Sequence, residues 1–596
     1  MLSYQSILVT ALLAWAPAIA SAAPAAAGLL GPAFAAPTRL AAEPSIRAAA
    51  ANVTALLDEL FRTGTSPWGS LHAANDTALS VQVLSIDDDD GARIVDYHHS
   101  PGNLNVSAGS AARVDADTVY RIGSISKLFT AYALLVNHGR KWWDKPVSEI
   151  LPELGKQWEE RGDGAQTRWG EVTVGALASQ MGGVSAGYST QDMASFPMFG
   201  AAAGLPPLKP DEMPKCSNDP SQPTCTREQF FRGYLKQHAV QAPCTTAIYS
   251  NAGYHLLGYV VEALTNLSFA DALQRTVLDP LGLRHSGATL PAKKGTGVIP
   301  QGDSGWDLPM GDDVPTGGIY ASTRDLGEFG RAILSHAQLS PLETRRWMKP
   351  HAHTALWSMS VGAPWEIIRT RSRTTTGHPV DLYTKSGDVG AYSSILILIP
   401  DYGVAVPILA AGSDSATAVG VAVERVVQGI LPALETAARR QAATNLGGLY
   451  STTGNSTLVL KAGGQDGMLI EKWVSNGVDT LAGLGMFAQS SGRTLRRLSL
   501  VPMGLEEKEK EKEAEEEEEE DGQRRRVYYR ALIETTLDGV DEAVPRVNDL
   551  NDVAWNLLDA YQWGGIGIDE FVFMLGEDGK ATAVRPRAMR ETYMRR

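Results

Sequence analysis

Four stretches of the chain carry apolar residues at helical spacing. In 123–139, Ile125, Leu128, Phe129, Tyr132, Leu135 and Val136 follow i, i+3, i+4 and i+7, and Gly139 suits the C-terminal cap. In 44–63, Ala51, Leu56, Leu57, Leu60 and Phe61 share one face. In 252–264 the inner face is Leu256, Leu257, Val260, Val261 and Leu264, with Asn251 placed to cap it. The segment 322–334 reads as a helix with a polar start. Between these, 78–86 alternates and 92–97 returns after a turn at 87–91, which predicts a hairpin. The stretches 382–385, 393–399 and 404–410 read as strands, the last two joined by Pro400-Asp401-Tyr402-Gly403, and 417–430 then reads as a helix.

The pattern changes after Gln441. Short alternating stretches follow at 457–461, 468–474, 495–501, 527–533, 571–575 and 581–584, and Gly576-Glu577-Asp578-Gly579 turns the last pair. This predicts a second, all-β domain over 441–596. A Glu/Lys run interrupts it at 506–523 and reads as a disordered or helical solvated loop. The segment 188–226 is rich in Pro, Gly and Ser and long for a loop, so it is a candidate lid or insertion.

The length of 596 residues suggests more than one domain, and 44% apolar residues suffice for a large core. The net charge of −14 argues against nonspecific nucleic-acid binding, which needs a basic footprint. Of that charge, −9 lies in the run from Glu506 to Asp521. Residues 7–20 are apolar and too short to favour a spanning helix. Ala18-Ile19-Ala20 or Ala20-Ser21-Ala22 offers a small-residue cleavage site. We therefore expect a signal peptide at 1–22, a leader or linker at 23–43, and a secreted protein with no membrane attachment after cleavage. Sequons at Asn52, Asn75, Asn105, Asn266 and Asn455 agree with secretion. Of the three cysteines, Cys216 and Cys225 share one loop and can pair locally, or Cys244 can take one of them. The oligomeric state is not legible.

Three triplets carry candidate chemistry. Ser124 and Lys127 stand three residues apart on a helix, so hydroxyl and amine face one another. An amine in an apolar setting loses solvation, which favours its neutral, basic form. Beside a hydroxyl, that makes an activated nucleophile. Ser126 points elsewhere. The plainer reading is a helix cap and a surface lysine whose head reaches water. Tyr249-Ser250-Asn251 comes next. A phenol takes a proton from a serine if nearby cations lower its pKa, and Asn251 can hold a substrate amide. The plainer reading is a core tyrosine and a cap. Lys385-Ser386-Gly387 is third, on a strand end. Gly387 lets a substrate backbone approach, Lys385 supplies positive charge, and the N–H groups of Asp388 and Ser124 can form a two-donor oxyanion hole.

Together the triplets resemble the serine β-lactamase and penicillin-binding-protein superfamily, marked by S-x-x-K, a second motif S-x-N or Y-x-N, and K-[ST]-G in that order. Tyr249 in the second motif looks like the class C branch, with its D-Ala-D-Ala peptidases and related esterases. The contexts Tyr120-Arg121-Ile122-Gly123-Ser124 and Gly317-Gly318-Ile319-Tyr320 are similar to that branch. The likeness covers roughly Pro44 to Leu434, which implies a catalytic domain over 44–440, and the tail is similar to the extra C-terminal domain of fungal secreted β-lactamase-like proteins.

The resemblance implies an α+β fold: an antiparallel sheet flanked by helices, with an all-helical subdomain, plus the smaller all-β domain. It implies a serine hydrolase with Ser124, Lys127 and Tyr249 catalytic, Asn251, Lys385, Ser386 and Gly387 binding substrate, and the N–H groups of Ser124 and Asp388 as oxyanion donors. The partner is a small acyl compound, and no cofactor is implied. Two departures stand out. Leu177-Ala178-Ser179-Gln180-Met181-Gly182-Gly183 replaces the family's usual Leu-rich Ser-His-Thr-Ser-Gly segment. Asp388 puts an acid beside the oxyanion hole, which disfavours anionic substrates. A rival class, metal-dependent hydrolysis, rests on His98-His99 and His351-Ala352-His353, neither of which has a carboxylate at ligand spacing. A third reading is a catalytically silent binding protein that keeps the fold.

Overall fold

The structure is a computed structural model that describes residues 31–88, 92–155, 165–189, 192–195, 197–210, 212–217, 222–371, 378–463, 467–508, 525–537 and 554–596. The expected signal peptide, residues 89–91 of the turn expected at 87–91, and most of the Glu/Lys run lie outside the described residues. The described chain divides into two compact units. One holds Ala50–Thr370 and Asp381–Val427; the other holds 31–49, Arg371–Val380 and Gln428–Arg596.

The first unit is built on an antiparallel sheet. Its strands run in the order Val95–His99, Ala78–Ser85, Val404–Ala411, Tyr392–Ile399, Pro379–Val389, Glu366–Arg371, Met359–Val361, Ala352–His353. Ala78–Ser85, Tyr392–Ile399 and Val404–Ala411 are buried at every position. That pattern belongs to strands covered on both faces, and explains why 393–399 and 404–410 read as apolar runs and why 78–86 alternates only in part.

The helix Thr323–Leu334 lies against one face. A Cβ at Gly330 would stand 2.8 Å from the Ala405 methyl, and one at Gly327 would stand 2.7 Å from Leu84. On that same face Ser394 Oγ donates to Ile122 O at 2.8 Å. The neighbouring Ser393 turns to the opposite face, where its hydroxyl lies 3.1 Å from that of Ser415, the first residue of helix Ser415–Leu446. The alternation of Ser393 and Ser394 fixes which side each strand residue serves.

The helical region holds Ser126–His138 beside Asn251–Thr265, with Arg227–Tyr234 and Phe269–Leu273 around them. Phe129 stacks on Phe329 with ring centroids 4.1 Å apart. Gly258 lets the turn Val314–Gly317 come close, since a Cβ there would lie 2.3 Å from Pro315 Cγ. That approach brings the Thr316 carbonyl to the end of Lys127.

The helix expected at 44–63 is Pro44–Thr63, while others have shifted ends. The helix at 123–139 opens with a 3-10 turn, Gly123–Ile125, before Ser126–His138. The helix expected at 417–430 runs on to Leu446. By length and composition it is apolar enough to cross a membrane, where the sequence reading found no stretch of spanning length, and half of its most apolar window is buried within the fold.

In the second unit nine strands form one sheet. Its order is Thr457–Ala462, Gly448–Ser451, Tyr593–Arg595, Ala581–Pro586, Glu570–Leu575, Arg525–Leu537, Arg493–Lys508, Met468–Ser475, Val478–Asp479. Thr457–Ala462 also pairs with Met468–Ser475, so the sheet closes into a barrel. Trp473, Tyr450, Tyr593, Phe571 and Phe573 fill its interior. The strand Arg493–Lys508 includes Glu506 and Glu507, which we expected in a solvated loop. They bridge to Arg525 and Arg526 on the paired strand, and those ion pairs extend the ladder into the acidic run.

Candidate active site

Ser124 sits in the tight turn that enters helix Ser126–His138, partly exposed, while Lys127 one turn on is fully buried. Lys127 Nζ lies 2.9 Å from Ser124 Oγ, 2.7 Å from Asn251 Oδ1 and 2.7 Å from the Thr316 carbonyl. Burial pushes its pKa down, and the charge of Lys385 pushes it further; the Tyr249 phenol acts against them. A neutral Lys127 can donate to Asn251 and Thr316 and turn its lone pair to the serine.

Tyr249 reaches the same oxygen from the other side, with Oη 2.7 Å from Ser124 Oγ. Its ring is half open to solvent, at 41% exposure, but its face lies 5.0 Å from Lys127 Nζ and 5.4 Å from Lys385 Nζ. Burial of the phenol works to raise its pKa, yet the two ammonium groups outweigh it and bring it below the ordinary tyrosine value. Ser124 Oγ therefore lies between an amine and a phenol that can share one proton: Lys127 is neutral while Tyr249 keeps its proton, and a charged Lys127 favours an ionised Tyr249.

The third triplet meets Ser124 edge-on. A Cβ at Gly387 would lie 2.5 Å from Ser124 N and 2.2 Å from Ile122 O, and one at Gly123 would lie 2.5 Å from Asp388 N. No side chain fits between these backbones, and the N–H groups of Ser124 and Asp388 share one small region. Gly387 pairs with Ser394 and Asp388 with Ser393. The Asp388 carboxylate thus faces away from Ser124 and accepts from Ser393 Oγ at 2.7 Å. Its burial raises its pKa, against that hydrogen bond.

Comparison with known sequences decides the family. A sequence model described as "Beta-lactamase" matches residues 89–428, more than half of the chain, and one described as "Beta-lactamase-like-like, C-terminal domain" matches 438–596. The chain belongs to the β-lactamase family.

A "Beta-lactamase-like protein" of Arthroderma benhamiae is 27% identical over 91% of both chains. A "Probable hydrolase M10" of a Phoma species is 26% identical over 76% of this chain and 75% of its own. "Penicillin-binding protein 4" of Amycolatopsis lactamdurans is 25% identical over 51% of this chain and 75% of its own. Among solved structures, a β-lactamase/D-alanine carboxypeptidase from Pseudomonas syringae matches at 19% identity and a TM-score of 0.45, covering 64% of this chain and 99% of that one.

Several residues of this β-lactamase-family site escaped the sequence reading. Ser250, not Asn251, caps helix Asn251–Thr265, accepting from Gly253 N at 2.9 Å. Asn251 is released for Lys127. Gln180, in the departed segment, holds the second motif: its backbone O accepts from Ile248 N at 2.8 Å and its Oε1 from Ser250 N at 2.7 Å. Glu366 is the largest omission. It accepts from Lys385 Nζ at 2.5 Å, Ser386 N at 3.0 Å and Ser386 Oγ at 2.9 Å. Burial would lower the Lys385 pKa, but Glu366 raises it above the ordinary lysine value. A charged residue directly after Trp365 and before Ile367-Ile368 was the signal available.

Ser126 points away, as expected, donating to Gly123 O at 2.7 Å. The histidine groups are placed elsewhere: His98 joins Ser80 and Asp96, His99 stacks on Phe61, and His353 meets Ser360. Among the described residues, no three His, Cys, Asp or Glu gather as a metal site. Of the open cysteine pairings, the fold takes Cys216–Cys225 and leaves Cys244 exposed.

Proposed function

We propose that this chain is a secreted serine hydrolase of the class C type that acts on an amide or ester through an acyl-enzyme. The observation that carries the reading is Ser124 Oγ, 2.9 Å from a fully buried amine and 2.7 Å from a phenol held between two cations. Ser124 attacks the carbonyl carbon, and its proton passes to Tyr249 or Lys127. The N–H groups of Ser124 and Asp388 receive the oxyanion. As the tetrahedral centre collapses, the same proton goes to the leaving nitrogen or oxygen. Water then attacks the ester on Ser124, losing a proton to Tyr249, and as the bond from the acyl carbon to Ser124 Oγ breaks that proton passes to Oγ and the acid leaves. Asn251, with Oδ1 held by Lys127, offers its amide N–H to a substrate carbonyl.

Secretion is supported by the apolar N-terminal run and by four exposed sequon asparagines, Asn52, Asn75, Asn266 and Asn455. The test is intact mass after exposure to a penicillin, a cephalosporin and a fluorophosphonate, for wild type and Ser124→Ala. The expected result is an adduct on wild type alone. An adduct on both, or an active Ser124→Ala protein, sinks the assignment.

A further inference from the structure

Asn251, His255 and Tyr259 stand four residues apart on helix Asn251–Thr265 and so share one face. Each meets a partner across that face. Asn251 Oδ1 accepts from Lys127 Nζ at 2.7 Å. His255 Nδ1 lies 2.7 Å from Asp313 Oδ1, and Tyr259 Oη donates to Asp312 Oδ2 at 2.7 Å. His255 Nε2 in turn lies 3.0 Å from Tyr259 Oη. His255 is 5% exposed and Asp313 9%, and the Phe230 ring stacks on the imidazole with centroids 3.9 Å apart. No step of the acyl-transfer reading uses either residue.

The hydrogen bonds fix where the protons sit. Burial and Asp312 hold the Tyr259 pKa above the ordinary tyrosine value, so Tyr259 keeps its one proton and gives it to Asp312. Its oxygen can then only accept from His255 Nε2. The Asp313 carboxylate accepts from Nδ1. A ring that donates at both nitrogens is an imidazolium.

This buried pair adjoins Lys127. Thr316 Oγ1 donates to Asp313 O at 2.8 Å, and the Thr316 carbonyl accepts from Lys127 Nζ at 2.7 Å, so the turn that carries the carboxylate also seats the amine. Burial lowers the Lys127 pKa, and Asp313 is among the groups that act to raise it. Around the pair stand Asp312, Tyr259 and Glu262, with the Arg227 guanidinium 4.3 Å over the Tyr259 ring and Tyr188 beside His255. On the far side Lys127 faces Tyr249 and Lys385.

We propose that His255 is a positioning residue for the base on Ser124: as an imidazolium against Asp313 it cancels the carboxylate next to Lys127 and holds the turn whose Thr316 carbonyl seats that lysine. The proposal rests on the acyl-enzyme reading above. With His255 replaced by a neutral residue, the negative charge of Asp313 acts on Lys127 uncancelled, and the amine keeps its proton to higher pH. With both charges removed, Lys127 again meets a neutral neighbour and its titration returns.

The experiment follows the rate of Ser124 labelling by an uncharged fluorophosphonate against pH, read by intact mass. Ser124 Oγ bonds to phosphorus, the P–F bond breaks, fluoride leaves, and the serine proton passes through the base to solvent. His255→Gln should move the acid limb of the profile up by about half a pH unit or more. Asp313→Asn should leave the limb level with wild type or below it. The double variant carries neither charge, and its limb should return to within about 0.2 pH units of wild type. A merely structural role for His255 would lower the rate without moving the limb, or move it with no return in the double variant.

An unmoved limb in His255→Gln, or a shift that the double variant does not restore, overturns the inference while leaving the acyl-enzyme reading intact. No labelling of Ser124 in wild type removes the reading, and the inference with it. Should His255→Gln not fold, the other two variants decide: the double variant must keep the wild-type limb and Asp313→Asn must not exceed it, and a limb above wild type in either overturns the inference.

Discussion

Two lysines lie within reach of Tyr249, equally buried and oppositely tuned. Lys127 is 0% exposed and Lys385 is 1% exposed. Burial pushes the pKa of each downward. Lys127 meets only neutral acceptors: a hydroxyl, an amide oxygen and a peptide carbonyl. Lys385 meets the carboxylate of Glu366. The first ends below the ordinary lysine value and the second above it. Burial alone does not make a base; the charge of the partner decides. One lysine can therefore carry a proton while the other stays a fixed cation, and the phenol between them is lowered by both.

Exchanging each for alanine breaks the comparison most directly. Lys127→Ala should cut the rate of Ser124 acylation by about a thousandfold or more, because it removes a base in direct contact with the nucleophile. Lys385→Ala removes only a charge that acts through Tyr249, and should cost about ten- to a hundredfold. Equal losses would end the division of roles. Circular dichroism of both variants guards against loss of fold.

Gly387→Ala should fall next, by about a hundredfold. Its methyl would meet Ile122 O at 2.2 Å and Ser124 N at 2.5 Å, so the strand must move off the nucleophile. A shift of about 1 Å costs on this order. Labelling by a fluorophosphonate measures it. A near-normal rate would mean that the oxyanion donors do not depend on this approach.

The pH dependence sharpens the comparison without needing large losses. Acylation should rise with pH as the base on Ser124 loses its proton. Lys385 lowers the pKa of both Lys127 and Tyr249, so Lys385→Ala should move the acid limb to higher pH. Glu366 raises the pKa of Tyr249, so Glu366→Gln should move it to lower pH. Limbs that shift in the same direction would show that the pair does not act through Tyr249.

How much of this was legible follows from what each residue depends on. The helix at Ser124 was readable because its apolar spacing is local, and Lys127 stood out against it. The roles of Ser250 and Asn251 were not, since both are good caps and the choice is made by Lys127, far away in sequence. Glu366 could not be found from spacing. It reaches Lys385 and Ser386 only through the pairing of two strands, and its own strand, Glu366–Arg371, gave no clear alternation. The barrel strands were readable one by one, but their closure through Thr457–Ala462 and Met468–Ser475 depends on register.

Asp388 is the case where alternation was available and its consequence was missed. Carried by the same residue as a proposed oxyanion N–H, its carboxylate suggested repulsion of anionic substrates. In a strand, neighbouring side chains take opposite faces, so the residue whose N–H serves Ser124 turns its carboxylate away, to Ser393. Asp388→Asn keeps the N–H and an oxygen to accept from Ser393. It should change acylation by no more than about threefold and stability by about 1 kcal/mol. A larger loss would mean that this carboxylate acts on the site through the charge of Lys385 even though its hydrogen bond goes to Ser393.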